Sequence, residues 1–85
     1  MRYLARIFVT LKPTVNDPQG ETILAGLKTL GLDSAESVRA GKYFEIWVES
    51  EGMAAAEEEV REMCDRLLAN PVMEEFAFRL ALEEE

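Results

Sequence analysis

The sequence has no histidine, a single cysteine (Cys64) and three prolines among 85 residues. An intramolecular disulfide is therefore impossible, and no ligand cluster of the Cys/His type can be assembled. Catalysis at neutral pH wants a group that titrates near 7, and the residue that most often supplies it is absent. Basic residues are also scarce. Nine Lys and Arg against seventeen Asp and Glu give a formal charge of −8, which repels phosphate backbones and anionic lipid, so neither nucleic acid nor a membrane surface is an expected partner. Nothing approaches the ~20 apolar residues of a membrane helix. The first eleven residues carry Arg2 and Arg6 but no uninterrupted apolar run or small-residue cleavage site, so no signal peptide is expected. An unpaired thiol without an export signal points to the reducing cytoplasm.

What is present is enough for one small domain, residues 1–85, with 48% apolar residues marking it as globular. A chain this short buries only roughly 60–70% of the surface its unfolded form exposes. With disulfides and metals closed to it, self-association is the remaining source of stability.

The pattern predicts six elements. Tyr3, Ala5, Ile7, Val9 and Leu11 alternate with polar residues as a half-buried strand, and Leu4 and Phe8 lie on its other face. Asp17-Pro18-Gln19-Gly20 reads as a helix start, with Asp17 as cap and Pro18 in the first helical position. Ile23, Leu24, Leu27 and Leu30 continue it over about 18–30, and Gly31 is placed to end it in the left-handed conformation. Val38-Arg39-Ala40-Gly41-Lys42 and the run 43–49 read as two strands of an antiparallel hairpin turning near Gly41. A second helix is expected from 53 to about 69, its stripe formed by Met53, Ala56, Val60, Met63, Cys64 and Leu67. Asn70-Pro71 stops it. Phe76, Phe78, Leu80 and Leu82 alternate as a last strand, and the tail 83–85 is expected to fray.

The predicted fold is thus α+β, a β-α-β-β-α-β two-layer sandwich with a four-stranded antiparallel sheet and both helices on one face. The other face stays open. Leu4, Phe8, Tyr43 and Trp47 form a candidate apolar patch there, the expected surface for homo-oligomerisation.

Chemistry is sparse. Cys64 falls on an apolar helix stripe and reads as a small buried hydrophobe. Glu57, Glu58 and Glu59 read as a solvated helix face. The five glycines form neither a GxGxxG nor a P-loop. No catalytic, cofactor-binding or metal-ligating residue is expected. The polar residues Lys12, Asn16, Asp17 and Gln19 exceed what a turn needs and sit where function tends to concentrate. Arg39 and Lys42 form a basic spot on an acidic protein.

Taken in order, Val9-Thr10-Leu11-Lys12-Pro13, Asp17-Pro18-Gln19-Gly20, Leu30-Gly31, Val38-Arg39-Ala40-Gly41-Lys42 and Leu67-Leu68-Ala69-Asn70-Pro71-Val72 resemble the PurS family over essentially the whole chain. That family is the small subunit of phosphoribosylformylglycinamidine synthase. Thr14, where the family commonly has glycine, and Trp47, where a smaller or polar residue is usual, depart from its pattern.

The resemblance implies a non-catalytic member of a three-part enzyme of de novo purine synthesis. The enzyme converts formylglycinamide ribonucleotide, ATP and glutamine to formylglycinamidine ribonucleotide, ADP, phosphate and glutamate. A glutaminase subunit releases ammonia, a large subunit with ATP and Mg2+ performs the amidation, and the small subunit, itself a homodimer or tetramer, couples them. Lys12, Asp17, Gln19, Arg39 and Lys42 are the candidate contacts with the larger subunits, and Leu4, Phe8, Tyr43 and Trp47 the candidate oligomer face.

Three other readings share the element order. A small-molecule-sensing regulatory domain would need a ligand pocket at a subunit interface. An RNA-binding module needs stacking aromatics among basic residues, whereas Glu45 and Glu49 interleave Tyr43 and Trp47. An acylphosphatase-like enzyme would need a phosphate-cradling arginine loop where this chain has Lys12-Pro13-Thr14-Val15-Asn16.

Overall fold

Strand β1 (Arg2–Leu11) forms the centre of the protein in a computed structural model that describes residues 1–83. It pairs antiparallel with β2 (Gly41–Glu49) on one side and β3 (Glu74–Leu82) on the other, a three-stranded sheet of order β2-β1-β3. Ile7 faces Phe44 across one ladder and Phe78 across the other. Because successive side chains alternate, this register gathers Ala5, Ile7, Val9, Phe44, Ile46, Val48, Phe76, Phe78 and Leu80 on one face. Helix α2 (Met53–Met63) covers that face with Ala56 and Val60. Ala5, Ile7, Val9, Val60 and Cys64 are fully buried, each large aliphatic side chain contributing about 1.5–3 kcal/mol. Arg61 adds a cation over the Phe78 ring at 5.2 Å.

The α+β class, two helices and antiparallel sheet are as the pattern predicts, but the sheet has three strands and not four. Residues 38–40 form no strand because their polar groups are engaged elsewhere. The Ala40 N–H donates to the Asp17 carboxylate at 2.8 Å, and the Arg39 guanidinium turns back to the carbonyls of Lys12 (3.0 Å) and Val15 (3.1 Å). Nor is Gly41 a hairpin turn. It opens β2 opposite Thr10, and the one positive φ among the described residues belongs to Gly31, at 82°. Gly31 does end the first helix as predicted.

Helix α1 (Pro18–Thr29) departs from the expected sandwich too. It begins at the predicted cap, with the Gly20 N–H donating to Asp17 at 2.9 Å. Yet its only buried residue is Gly20, and none of its side chains joins the core. The helix stands off the sheet as an arm. A compact chain of this length has a radius of gyration of about 12 Å; this one has 16.5 Å, with extents of 50 × 32 × 14 Å.

The second helix is also remodelled at its end. After Met63 it widens into a π-helical turn (Cys64–Leu68), closed by Ala69 N–H donating to the Cys64 carbonyl at 2.9 Å. The extra residue rotates the stripe, so that Cys64 and Ala69 are buried while Leu67, placed by simple spacing on the core side, is 84% exposed. Glu83 does not fray, since its N–H donates to the Arg2 carbonyl at 2.8 Å and its carboxylate pairs with Arg2. Glu84 and Glu85 lie outside the described residues.

Candidate functional site

The first candidate site is the end of the sheet where β1 finishes and β2 and β3 begin. Lys12, Asp17, Arg39 and Lys42 are far apart in sequence but meet here, each held by a specific contact. The Lys12 ammonium donates to the Pro71 carbonyl at 2.9 Å, tying the loop after β1 to the loop before β3. Asp17 is buried and bridges two amides, Gly20 and Ala40. These N–H donors, Gly20 first, hold its carboxyl below the usual carboxylate range, helped by the nearby Arg39 cation and opposed by burial. Lys42 pairs with Glu74 at 3.4 Å. The Asn70 N–H also donates to Glu74, at 2.8 Å, and with Lys42 it lowers the Glu74 pKa.

Gln19 joins Asp17, Lys42 and Glu74 in lining a cleft of about 230 Å³. The hub gathers three cations, each already engaged within the chain, and presents no arrangement of nucleophile and base. Glu74 was not singled out from sequence; its acidic neighbour Glu75 disguises it, and only the sheet register brings it to Lys42.

Gly20 shows how tightly the hub is built. A Cβ there would lie 2.2 Å from the Val38 carbonyl oxygen and 2.8 Å from the Asp17 carboxylate. Only a glycine lets the first turn of α1 approach the returning chain this closely.

The second candidate site is the sheet face away from α2. The four predicted residues fall into two cross-strand pairs, Leu4 opposite Trp47 and Phe8 opposite Tyr43. The Phe8 and Tyr43 ring centroids are 5.1 Å apart, and Arg2 lies 4.1 Å over the Trp47 ring. Phe8, Tyr43 and Trp47 are 43–49% exposed. Between the pairs runs a polar band, in which Glu45, read from the sequence as interleaving Tyr43 and Trp47, flanks Arg6 on one side and Arg79 flanks it on the other. The face is thus apolar at two places and charged between them.

Cys64 is buried, and burial pushes its thiol further up from the ordinary range. Among the described residues no group of three His, Cys, Asp or Glu is placed to hold a metal ion. No helix among them is long and apolar enough to cross a membrane.

The family model of PurS, phosphoribosylformylglycinamidine synthase, matches residues 4–82. The chain belongs to the PurS family. A PurS subunit of phosphoribosylformylglycinamidine synthase from Synechocystis sp. is 44% identical over 82 residues, covering 96% of this chain and 82% of its own. The corresponding subunit from Archaeoglobus fulgidus is 39% identical, with 87% and 92% covered. Among solved structures, Thermus thermophilus PurS superposes with a TM-score of 0.87 at 41% identity, covering 99% of this chain and all of that one, 100%. A chain of the PurLQS structure from Thermotoga maritima gives a TM-score of 0.89 at 34% identity, covering 95% and 99%. The sequence-level assignment to PurS holds, and the alternative of a small-molecule-sensing domain finds no support.

Proposed function

We propose that this PurS chain is the coupling subunit of phosphoribosylformylglycinamidine synthase, acting as one PurS-like domain over residues 1–85. It holds the glutaminase subunit against the large amidating subunit, so that ammonia released from glutamine is used before it escapes. ATP and Mg2+ belong to the large subunit, and the assembly works in the cytoplasm. No residue of this chain takes part in bond making. Its contribution is the gain in effective concentration that comes from holding two active sites together. The observation that carries the reading is the family match over residues 4–82.

Within that role, the hub at the sheet end is the contact surface for the larger subunits. Lys12, Arg39 and Lys42 place three cations on one end of a chain of charge −8, and Asp17 and Gln19 line a cleft together with Lys42. The open face, with Leu4, Phe8, Tyr43 and Trp47, joins copies of the chain. Co-elution with the two larger subunits tests the first assignment. The wild-type chain is expected to enter the complex and the Arg39→Glu/Lys42→Glu variant to drop out. A variant that is retained at wild-type level removes these two residues from the interface.

A further inference from the structure

The sheet leaves β3 with an unpaired edge. At the two ends of its ladder with β1, the Lys12 N–H donates to the Met73 carbonyl and the Glu83 N–H to the Arg2 carbonyl. Alternation from these ends turns the backbone groups of Glu75, Ala77, Arg79 and Ala81 toward β1. Those of Phe76, Phe78 and Leu80 point outward, where no further strand meets them. Sheets commonly guard such an edge with proline, lysine or a bulge. Here the register runs unbroken and the strand contains neither proline nor lysine.

The charge along the middle of this edge is opposite to that of the chain. Glu74 and Glu75 stand at one end and Glu83 just past the other, while the stretch 76–81 holds one charge, the cation of Arg79. A second cation comes from α2. Arg61 lies 5.9 Å from the Phe76 ring and 5.2 Å from the Phe78 ring, and with both it lines a cleft of about 320 Å³. Both arginines are exposed, and neither has an ion-pair partner among the described residues. Glu57, the partner that four-residue spacing offers Arg61, shares the cleft without pairing. Arg79 stands directly opposite Arg6, and like charges facing across a ladder are destabilising.

An added strand meets both cations at once. Its successive side chains alternate between the faces of the sheet, so the residue beside Phe78 points to the Arg61 side and the next, beside Arg79, to the open side. Two adjacent carboxylates then satisfy both arginines, whereas basic side chains are repelled. The glutamates at the ends of β3 keep those carboxylates in the middle.

We infer that the β3 edge takes, as a fourth strand, an extended acidic segment of another protein, two adjacent Asp or Glu flanked by apolar residues. Leu4, Phe8, Tyr43 and Trp47, assigned above to joining copies of the chain, lie on β1 and β2 and leave this edge clear. The inference does not depend on the coupling role.

The test uses the full chain and two short fluorescent peptides of alternating valine and threonine, one with two adjacent glutamates at its centre and one with two lysines. The glutamate peptide is expected to bind saturably by anisotropy and to slow amide hydrogen exchange at Phe76, Phe78 and Leu80. The lysine peptide is expected to do neither. Arg61→Glu and Arg79→Glu should each weaken binding about tenfold, through an exposed attraction lost and a repulsion gained. The double variant is expected to take the lysine peptide instead, a gain that misfolding cannot produce. No saturable binding, binding that leaves those three amides unchanged, or no exchange of preference in the double variant overturns the inference. So does slow exchange at the three amides in the chain alone that increases with its concentration, because a second copy then holds the edge.

Discussion

The Asp17 carboxylate accepts the backbone N–H of Ala40 at 2.8 Å while accepting that of Gly20 at 2.9 Å. One side chain therefore caps α1 and also fastens the far end of the excursion to its start. Everything from α1 to the beginning of β2 is an arm hinged on this bridge and on Arg39.

Acid should loosen that hinge. The folded-state pKa values of Asp17 and Glu74 both lie below their ordinary values. For a carboxyl of depressed pKa, the stabilisation is complete above the unfolded value, about 4, and is lost as pH falls through the folded one. Thermal midpoints are expected to be flat near neutrality with respect to these two groups and to fall below about pH 4. Asp17→Asn should reduce this acid dependence; an unchanged profile in that variant contradicts the bridge.

Gly20→Ala tests the close approach. Its Cβ would meet a backbone carbonyl at 2.2 Å, and a carbonyl cannot swing aside as a side chain can. A loss of about 1–3 kcal/mol in chemical denaturation is expected. Gly26→Ala is the control, since nothing lies within 4 Å of a Cβ there, and it should be neutral or stabilising by about 0.4–1 kcal/mol.

Cys64 should be chemically silent in the native protein. It is fully buried and its thiol pKa is raised by that burial. Aromatic disulfide reagents are expected to titrate it only after denaturation, and Cys64→Ala to leave the assembled enzyme active while costing about 1 kcal/mol in stability. Rapid labelling of the native chain would contradict the packing.

On the open face, Trp47→Asp breaks the pair with Leu4 and the Arg2 cation–π contact without touching the core. The expected outcome is a smaller oligomer at unchanged secondary structure, read by light scattering and circular dichroism. Retention of the wild-type mass removes this face from self-assembly.

The parts of the fold legible in the sequence were those set by neighbours along the chain. Alternation in β1 and β3, the Asp17-Pro18 cap and the left-handed Gly31 are local devices, and each stands where the pattern predicts it. The missing fourth strand was not legible. Val38-Arg39-Ala40 has strand character, but the Ala40 N–H and the Arg39 side chain are claimed by residues 23 or more positions away. Periodicity in α1 says that Ile23 and Leu27 need cover and is silent on what covers them. The π-helical turn defeats spacing arguments altogether, because one inserted residue exchanges the environments of Leu67 and Leu68. Of the candidate contacts, Lys12, Asp17, Gln19, Arg39 and Lys42 were visible as polar residues in loops, while their convergence with Glu74 required the register of three strands.

The coupling role is tested most directly by product formation from the large and glutaminase subunits, with and without this chain, driven first by glutamine and then by free ammonia. Glutamine-driven turnover is expected to require the chain and ammonia-driven turnover to proceed without it. Rates that are the same with and without the chain in both reactions would contradict the coupling role.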